Sequence, residues 1–378
     1  MSPKPKLYFT SVIITIGLFY YYYTYFRHHT FSQHVHDDAP SHDWSVLNQS
    51  WAGSVKSMEK SDVFNRTLGF EQVFVIGFPE RTDKRDAIAL MSGLTDFDVQ
   101  WLDGVRGQNI PDQALPFGWD RQGQSLESHL GSWRGHVNAI RQIIESRLSS
   151  ALILEDDMDW DVSLKKGLAS FAMASRKFLQ TGFDVEPKIE RTSPYGQNWD
   201  MLWLGACWNT FNERLNPGLR YTKKDRDDRK ILIRDDPTVA PPHRLVGNPD
   251  HDWHEFPNNT RVVYRPGGQV CSFAYALSQS GARKALDYLS IRGANKPFDQ
   301  HLDDLCRLRE NGMRCLSITP ALFEHHRPRG PVSVDSDILS TDNEDVREVG
   351  FSENIYYSTR LNINNLVNGR APEPQWKD

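Results

Sequence analysis

The chain has 378 residues, enough for one large domain or two ordinary ones, and its 39% hydrophobic and 25% charged residues are typical of a globular protein. Its 44 basic and 49 acidic residues give a net charge of -5, which argues against a protein that binds nucleic-acid backbones through a broad basic field. Four cysteines in this length exclude a scaffold built on disulfides, and none of them has the paired spacing of a structural zinc site.

The first predicted element is a membrane anchor over residues 7–26. This stretch has no charged side chain, and a helix of that length spans roughly 30 Å, the thickness of a bilayer core. Lys4 and Lys6 precede it, which favours a cytosolic tail over residues 1–6 and a lumenal location for the rest of the chain. A cleaved signal peptide or an interfacial helix is the alternative, but the Tyr- and Phe-rich end of the stretch lacks the small residues of a cleavage site.

This topology predicts a single-pass type II protein, in the Golgi or endoplasmic reticulum because the anchor is just long enough for a thin bilayer. Residues 27–68 are rich in His, Ser, Asp and Asn without a sustained apolar period, and we expect them to form a stem. Glycosylation sequons at Asn48, Asn65 and Asn258 agree with a lumenal location.

The same compartment bears on two of the cysteines. Cys306 and Cys315 flank a turn at Asn311 and Gly312. Because an oxidising lumen permits disulfides, the two either close a short loop or remain as small buried thiols.

Residues 69–330 alternate predicted strands with predicted helices. Short apolar runs predict strands at residues 73–76, 97–102, 151–154, 201–204, 273–277 and 314–318. Apolar residues at helical spacing predict a helix at residues 126–148, and a cap at Thr82 or Asp83 predicts one that runs through Leu90. Further helices are expected at residues 279–289 and 299–311. This alternation predicts an α/β fold with a mostly parallel sheet covered by helices on both faces.

Two segments break this rhythm. Residues 209–266 contain a charged run and several prolines, and we expect an insertion that is either solvated or a loop that binds an acceptor. Residues 331–378 are polar and irregular, and we expect them to wrap the domain as a tail.

An acidic triplet, Glu155, Asp156 and Asp157, directly follows the predicted strand at residues 151–154. Ligands of open α/β sheets bind beyond the carboxyl ends of the strands, and three carboxylates there repel one another unless a cation is present. Oxygen ligands suit Mn²⁺ or Mg²⁺, which would also neutralise a diphosphate. The acidic first turn of a helix is the alternative, but the buried strand before the triplet favours a site for a metal and a diphosphate.

Four stretches, in this order along the chain, resemble glycosyltransferase family 25, the lipooligosaccharide-type and collagen-type galactosyltransferases. They are VIGFPERTDKR at 75–85, SHLGSWRGH at 128–136, ALILEDD at 151–157 and CSFAYALSQSG at 271–281. They resemble, respectively, the family's first strand with its Arg-rich turn, its Gly-Cys-x-x-Ser-His helix start, its strand ending in Glu-Asp-Asp and its late strand with the following helix. Ser132 and Gly135 stand where the family has Cys and Ser.

The resemblance covers roughly residues 71–330 and implies a GT-A type, Rossmann-like fold. It also implies an inverting, metal-dependent transfer of a sugar, with galactose as the leading candidate, from a UDP-sugar. The acceptor would be a hydroxyl group of a glycan, protein or lipid. A divalent ion and basic side chains suit this chemistry, because cleavage of a sugar–diphosphate bond develops charge on the leaving phosphate.

The metal ligands implied by this resemblance are Asp157 and His325, since a late histidine completes the metal shell in many GT-A enzymes. For His325, and equally for His326, the alternative is a histidine of the surface or core. We expect His136 to pack on its helix rather than contact substrate.

The nucleotide-sugar would contact Glu155 and Asp156, which hold ribose or sugar hydroxyls or reach the ion through water. Arg81 and Arg85 would face the nucleotide, and their alternative role is that of exposed charges at a helix start.

The catalytic base is predicted to be Asp299, because an inverting transfer needs a carboxylate away from the metal to take the proton of the acceptor hydroxyl. Inverting GT-A enzymes often place this base at the start of a late helix. Asp299 opens such a predicted helix, where a simple helix cap is the alternative, and Asp303 and Asp304 are the next candidates.

Two other classes of protein compete with a glycosyltransferase. A catalytically silent, membrane-anchored relative would bind glycans or scaffold other enzymes, but the intact acidic triplet argues against it. A metal-dependent phosphoryl-transfer enzyme would use the same acids, but the chain has no Walker-type phosphate loop.

Overall fold

A nine-stranded sheet forms the centre of the protein, whose computed structural model describes residues 46–121, 126–180, 193–211, 229–247, 253–338 and 345–377. Across the sheet the strands are β1 (Val46–Ser50), β8 (Lys230–Arg234), β9 (Arg261–Tyr264), β12 (Cys315–Thr319), β6 (Met201–Gly205), β11 (Ala274–Ser278), β4 (Ser150–Glu155), β2 (Gln72–Gly77) and β3 (Gln100–Asp103). Outside this sheet lie the short strands β5 (Met158–Trp160), β7 (Trp208–Phe211), β10 (Pro266–Val270), β13 (Phe323–Arg327), β14 (Gly330–Pro331), β15 (Val346–Arg347) and β16 (Phe351–Ser352). The helices are α1 (Trp51–Met58), α2 (Thr82–Leu94), α3 (Glu127–Glu145), α4 (Leu164–Gln180), α5 (Gln279–Leu286), α6 (Phe298–Arg307) and α7 (Ile363–Val367).

The sheet is mixed, which corrects the expectation of a mostly parallel one. Strands β9 and β11 run against the other seven, so four of the eight pairings are antiparallel. Strand β11 is inserted between β4 and β6 and is buried along most of its length. A run that is apolar on both faces fits either direction, so its residues do not reveal its orientation.

Helices cover both faces of the sheet, as the alternation of elements predicts. Along β4, Leu152 and Leu154 belong to a core shared with α2 and α4. Ala151 and Ile153 belong to a second core shared with α3, α5 and α6. Because successive side chains of a strand point to opposite faces, one apolar strand contributes to both cores and its carboxyl end is held rigidly.

The segment expected to be an insertion, residues 209–266, contributes two strands to the sheet. Strands β8 and β9 both lie within residues 209–266 and pair with each other. The buried guanidinium of Arg261, the first residue of β9, lies 2.8 Å from Asp236 and donates to the carbonyl oxygens of Pro320 and Ala321. The two apolar runs are only a few residues long and stand between charged and Pro-rich stretches, which hid their strand character.

Both ends of the described chain pack on this domain. Strand β1 and helix α1 lie within the segment predicted to be a stem, and β1 pairs with β8 at the edge of the sheet. The residues predicted to form a tail wrap the domain: β16 pairs with β13, and Ser352 and Ser358 donate hydrogen bonds to the fully buried Asp159. The predicted anchor at residues 7–26 lies outside the described residues, and none of the helices that are described has the length and apolar character needed to cross a membrane.

Two disulfides link the four cysteines. One joins Cys306 to Cys315, the short loop that the sequence offered as one of two alternatives. The other joins Cys207 to Cys271, a pairing that the sequence did not indicate. The second connects the end of β6 to the segment between β10 and β11, next to the site described below.

The two disulfides should differ in their contribution to stability. Their sequence separations are 64 for Cys207–Cys271 and 9 for Cys306–Cys315. On the loop-entropy model, replacing both cysteines of a disulfide with Ala should lower the free energy of unfolding. The loss should be about 4 kcal/mol for the long loop and about 2.5 kcal/mol for the short one. Urea unfolding of the two double variants measures both values, and an equal or larger cost for the short loop would contradict this ranking.

Candidate metal centre

The candidate site forms where β4 ends and the chain turns into the short strand β5, which pairs with β13 in a separate small sheet. Glu155 is the last residue of β4, and Asp156 and Asp157 make the turn into β5. Strand β13 pairs antiparallel with β5 and places His325 opposite Met158. The His326 amide donates to the Asp157 carbonyl oxygen at 2.8 Å, which ties the turn to β13. The acidic turn thus leads into a strand and is not the first turn of a helix.

Three side chains converge at this point with the geometry of a possible metal site. One ligand atom each of Glu155, Asp157 and His325 lies within 4.8 Å of the others, and His325 Nε2 is 3.8 Å from Asp157 Oδ2. Asp157 Oδ1 is buried and accepts no hydrogen bond from any residue that the structure describes. Two carboxylates and one imidazole form a donor set that suits Mn²⁺, and the orphaned oxygen is the observation that a cation would explain.

The protonation states fit a cation site. Burial alone would raise the pKa of Glu155, but the hydrogen bond and charge of His136, with His325 and Ser272, hold it below its usual range. Burial, with the nearby charge of Glu155, raises the pKa of Asp157 to about 6. Burial, together with the nearby Arg327, lowers the pKa of His325 to about 3, so its imidazole is neutral. Arg327 donates a hydrogen bond to His325 Nδ1 at 2.9 Å, which places the ring proton on Nε2, so a cation bound through Nε2 would have to displace this contact and the proton.

Mn²⁺ affinity should therefore depend on pH in a defined window. A proton competes with the ion for Asp157, whose pKa is about 6, whereas His325 does not take up a proton until about pH 3. Affinity should be nearly constant above that Asp157 pKa and fall by about tenfold per pH unit below it, because one proton must leave for each ion bound. Calorimetric titration with Mn²⁺ from pH 7 down to pH 5 tests this; an affinity that does not change over the range would contradict it.

Glu155 is held by a buried network that the sequence did not predict. Ser272 Oγ donates to Glu155 Oε1 at 2.8 Å, and His136 Nε2 lies 3.4 Å from the same oxygen. His136 stacks on Phe298 with ring centroids 4.2 Å apart, and its Nδ1 is 3.0 Å from the Tyr275 hydroxyl. His136 packs inside the protein, as expected, but it also faces the site through Glu155. Glu155 is itself one of the three candidate ligands, and its predicted contact with ribose or sugar hydroxyls, or with the ion through water, stays a prediction.

Asp156 turns away from the three candidate ligands and contacts Lys84. Lys84 Nζ donates to Asp156 Oδ1 at 2.8 Å, and both side chains are about nine-tenths buried. Burial raises the pKa of Asp156 to about 7 despite this lysine, and the charge of Asp157 adds to the effect. The close packing needs Gly77, because a Cβ there would lie 2.4 Å from Asp156 Oδ2.

Lys84 is a residue that the sequence reasoning missed. It lies between Arg81 and Arg85 in the first stretch that resembles the family, which was the available signal. Its second partner is Asp337, whose carboxylate Oδ2 lies 2.6 Å from Lys84 Nζ. Nothing local in the sequence indicates this contact, because 253 positions separate the two residues.

The two predicted arginines lie in different surroundings. Arg81 pairs with Asp83 and Asp337 and lines the cleft that also contains Asp157. Arg85 instead pairs with Asp103 and lies over the Trp101 ring. The contacts therefore bring Arg81, but not Arg85, to the cleft of the acidic turn; nucleotide binding by either arginine stays a prediction.

Asp299 contacts the segment that follows β10, which also contacts the candidate metal centre. Its Oδ2 accepts a hydrogen bond from the Cys271 amide at 2.9 Å, and its Oδ1 accepts one from the Gln300 amide at 2.9 Å. Directly after Cys271, Ser272 donates to Glu155 and the Phe273 ring packs against His325. Asp299 is thus near the candidate metal centre but outside its ligand group, as a base requires; its role as base stays a prediction.

Comparison with known proteins yields a distant relationship. No family model matches the chain. The chain is 22% identical over 148 residues to procollagen galactosyltransferase 1 of Danio rerio, a match that covers 36% of this chain. It spans only 22% of that relative's length. The similarity therefore relates the chain distantly to a member of glycosyltransferase family 25 and suggests a glycosyltransferase.

Proposed function

We propose that this protein is an inverting, metal-dependent glycosyltransferase that moves a sugar, with galactose as the first candidate, from a UDP-sugar to an acceptor hydroxyl. The observation that carries the proposal is the group of Glu155, Asp157 and His325 at the carboxyl end of β4, with the orphaned Asp157 oxygen. The distant similarity to a galactosyltransferase supports the choice of sugar transfer over other chemistry that uses a divalent ion.

The residues present would divide the reaction between two places. Glu155, Asp157 and His325 would hold Mn²⁺ or Mg²⁺, which when bound offsets the charge that develops on the leaving diphosphate. Ser272 and His136 keep Glu155 ionised and oriented. The acceptor oxygen attacks the anomeric carbon, the bond from that carbon to the diphosphate breaks, and UDP leaves. In this scheme Asp299 takes the proton of the acceptor hydroxyl.

The proposal includes a GT-A type fold and a glycan, protein or lipid as the acceptor. It also places the protein in the membrane of the Golgi or endoplasmic reticulum, with the catalytic domain in the lumen. The uncharged stretch at residues 7–26 supports this location, as do two disulfides, which form in an oxidising compartment. Residues 27–378 should resist protease in sealed microsomes until detergent is added. Digestion without detergent would show that the topology is wrong.

Product analysis tests the reaction class. The full chain, purified in detergent, is incubated with a panel of UDP-sugars and Mn²⁺, and the products are separated. Cleavage at the sugar carbon gives UDP and free sugar, the result that we expect in the absence of acceptor. Formation of UMP and a sugar phosphate would instead indicate phosphoryl-type chemistry, and no Mn²⁺-dependent turnover with any donor or acceptor would favour a silent relative.

A further inference from the structure

Two basic side chains, those of Arg81 and Lys84, form ion pairs with Asp337, a residue from a distant part of the chain. Both basic side chains line the cleft that contains Asp157. Arg81 Nη1 donates to both oxygens of Asp337, at 2.6 and 2.5 Å, and Lys84 Nζ donates to Asp337 Oδ2 at 2.6 Å. The Lys84 side chain is only 9% exposed, whereas that of Asp337 is 28% exposed. The Asp337 carboxylate, a planar anion with two oxygens, is therefore bound by two charged and mostly buried donors. One of them, Lys84, also contacts Asp156 in the acidic turn.

Asp337 pairs with both basic side chains, Arg81 and Lys84, that a further anion in this part of the cleft would contact. The ion pairs join two cations, Arg81 and Lys84, to three carboxylates, those of Asp83, Asp156 and Asp337. Burial tends to raise the pKa of Asp337, but Lys84 and Arg81 hold it below its usual value, so the carboxylate is charged. An incoming phosphate would be repelled by this group and would compete with it for the same donors.

The segment that precedes Asp337 has contacts of its own. Two residues earlier, Asp335 makes a two-fold ion pair with Arg347 at 2.8 and 3.0 Å, and β14 pairs with β15 beside it. These contacts fix residues 330–335 independently. In its contact with Arg81 and Lys84, Asp337 is the more exposed partner.

We propose that Arg81 and Lys84 form a phosphate subsite and that the Asp337 carboxylate occupies it as an internal anion, which the diphosphate of the ligand displaces. The cleft around Arg81 and Lys84 also contains Asp157, so a diphosphate in it would lie beside one of the three candidate metal ligands. The identity of the ligand as a UDP-sugar rests on the proposed function. The subsite itself requires only a diphosphate.

The test is a binding measurement with inorganic pyrophosphate and, separately, with UDP, each titrated calorimetrically into the full chain in the presence of Mn²⁺. The Asp337→Asn variant should bind pyrophosphate about tenfold more tightly than wild type, the gain expected if the carboxylate occupies the donors about nine-tenths of the time. The matched control is Asp103→Asn, which removes a carboxylate from an ion pair with Arg85 on the same helix. Its affinity should stay within about twofold of wild type, because that pair is exposed.

A second pair of variants shows whether the gain passes through the proposed donors. Lys84→Gln should weaken pyrophosphate binding by at least about tenfold, and in that background Asp337→Asn should have a much smaller effect. Arg81→Gln, at the more exposed donor, replaces Lys84→Gln if thermal unfolding shows a disturbed fold. Equal gains from Asp337→Asn and Asp103→Asn, or no gain from Asp337→Asn, would overturn the proposal. Tighter pyrophosphate binding without any UDP binding would keep the subsite and reject the UDP-sugar donor.

Discussion

Replacing Asp157 with Ala should abolish both Mn²⁺ binding and sugar transfer while the protein remains folded. Asp157 supplies one of three candidate ligands, and its Oδ1 accepts no hydrogen bond from the described residues. Removing it leaves one carboxylate and one imidazole, too few to hold the ion. Calorimetric titration with Mn²⁺ and a transfer assay with the preferred donor measure the two losses.

The metal-free stability of this variant separates a metal site from a structural ion pair. Burial opposes ionisation of Asp157, and its charge repels that of Glu155. Loss of this carboxylate should therefore leave the metal-free melting temperature unchanged or raise it. The matched control is Asp112→Ala, at an acid whose side chain is 85% exposed, which should keep normal Mn²⁺ affinity and transfer. Normal activity in the Asp157→Ala protein would defeat the metal assignment.

Replacing Asp299 with Asn should lower the turnover number by roughly 10²–10⁴-fold, the usual contribution of general-base catalysis. The melting temperature should stay near that of wild type, because the Asn carbonyl oxygen can still accept the hydrogen bond from the Cys271 amide and only the exposed hydrogen bond from the Gln300 amide is lost. The affinity for UDP-sugar should also be normal, since Asp299 lies outside the metal-ligand group. Steady-state kinetics and thermal unfolding of the variant test these three expectations.

Asp304 provides the control on the same helix. Asp304 pairs with Lys296 and Arg307, and its neighbour Asp303 accepts from the Gln269 amide and from Arg307. Both acids are thus committed to ion pairs, which makes them poorer bases than the sequence suggested. Asp304→Asn should lower the melting temperature, because it weakens these ion pairs, and should leave the turnover number near that of wild type. Turnover of Asp299→Asn within a few-fold of wild type would return Asp299 to the role of a helix cap.

Most of the strands and helices, and the position of the acidic turn, follow from local patterns in the sequence. The apolar run at residues 151–154 and the helical spacing at residues 126–148 correspond to β4 and α3. Such patterns arise from burial of one face or one strand, which the residues nearby in sequence record. For the same reason Asp157 could be selected as a metal ligand, since its place after a buried strand is a local property.

The distant residues that meet this turn could not be predicted from the sequence, because the folding of the whole chain brings them there. The antiparallel insertion of β11, the Cys207–Cys271 disulfide and the placement of His325 opposite Met158 all depend on strand pairing across the fold. Lys84 and Asp337 form an ion pair although 253 positions separate them. A contact of this kind leaves no periodicity in either segment, because it is selected by the packing of the whole sheet and its covering helices and not by the local preferences of the residues that make it.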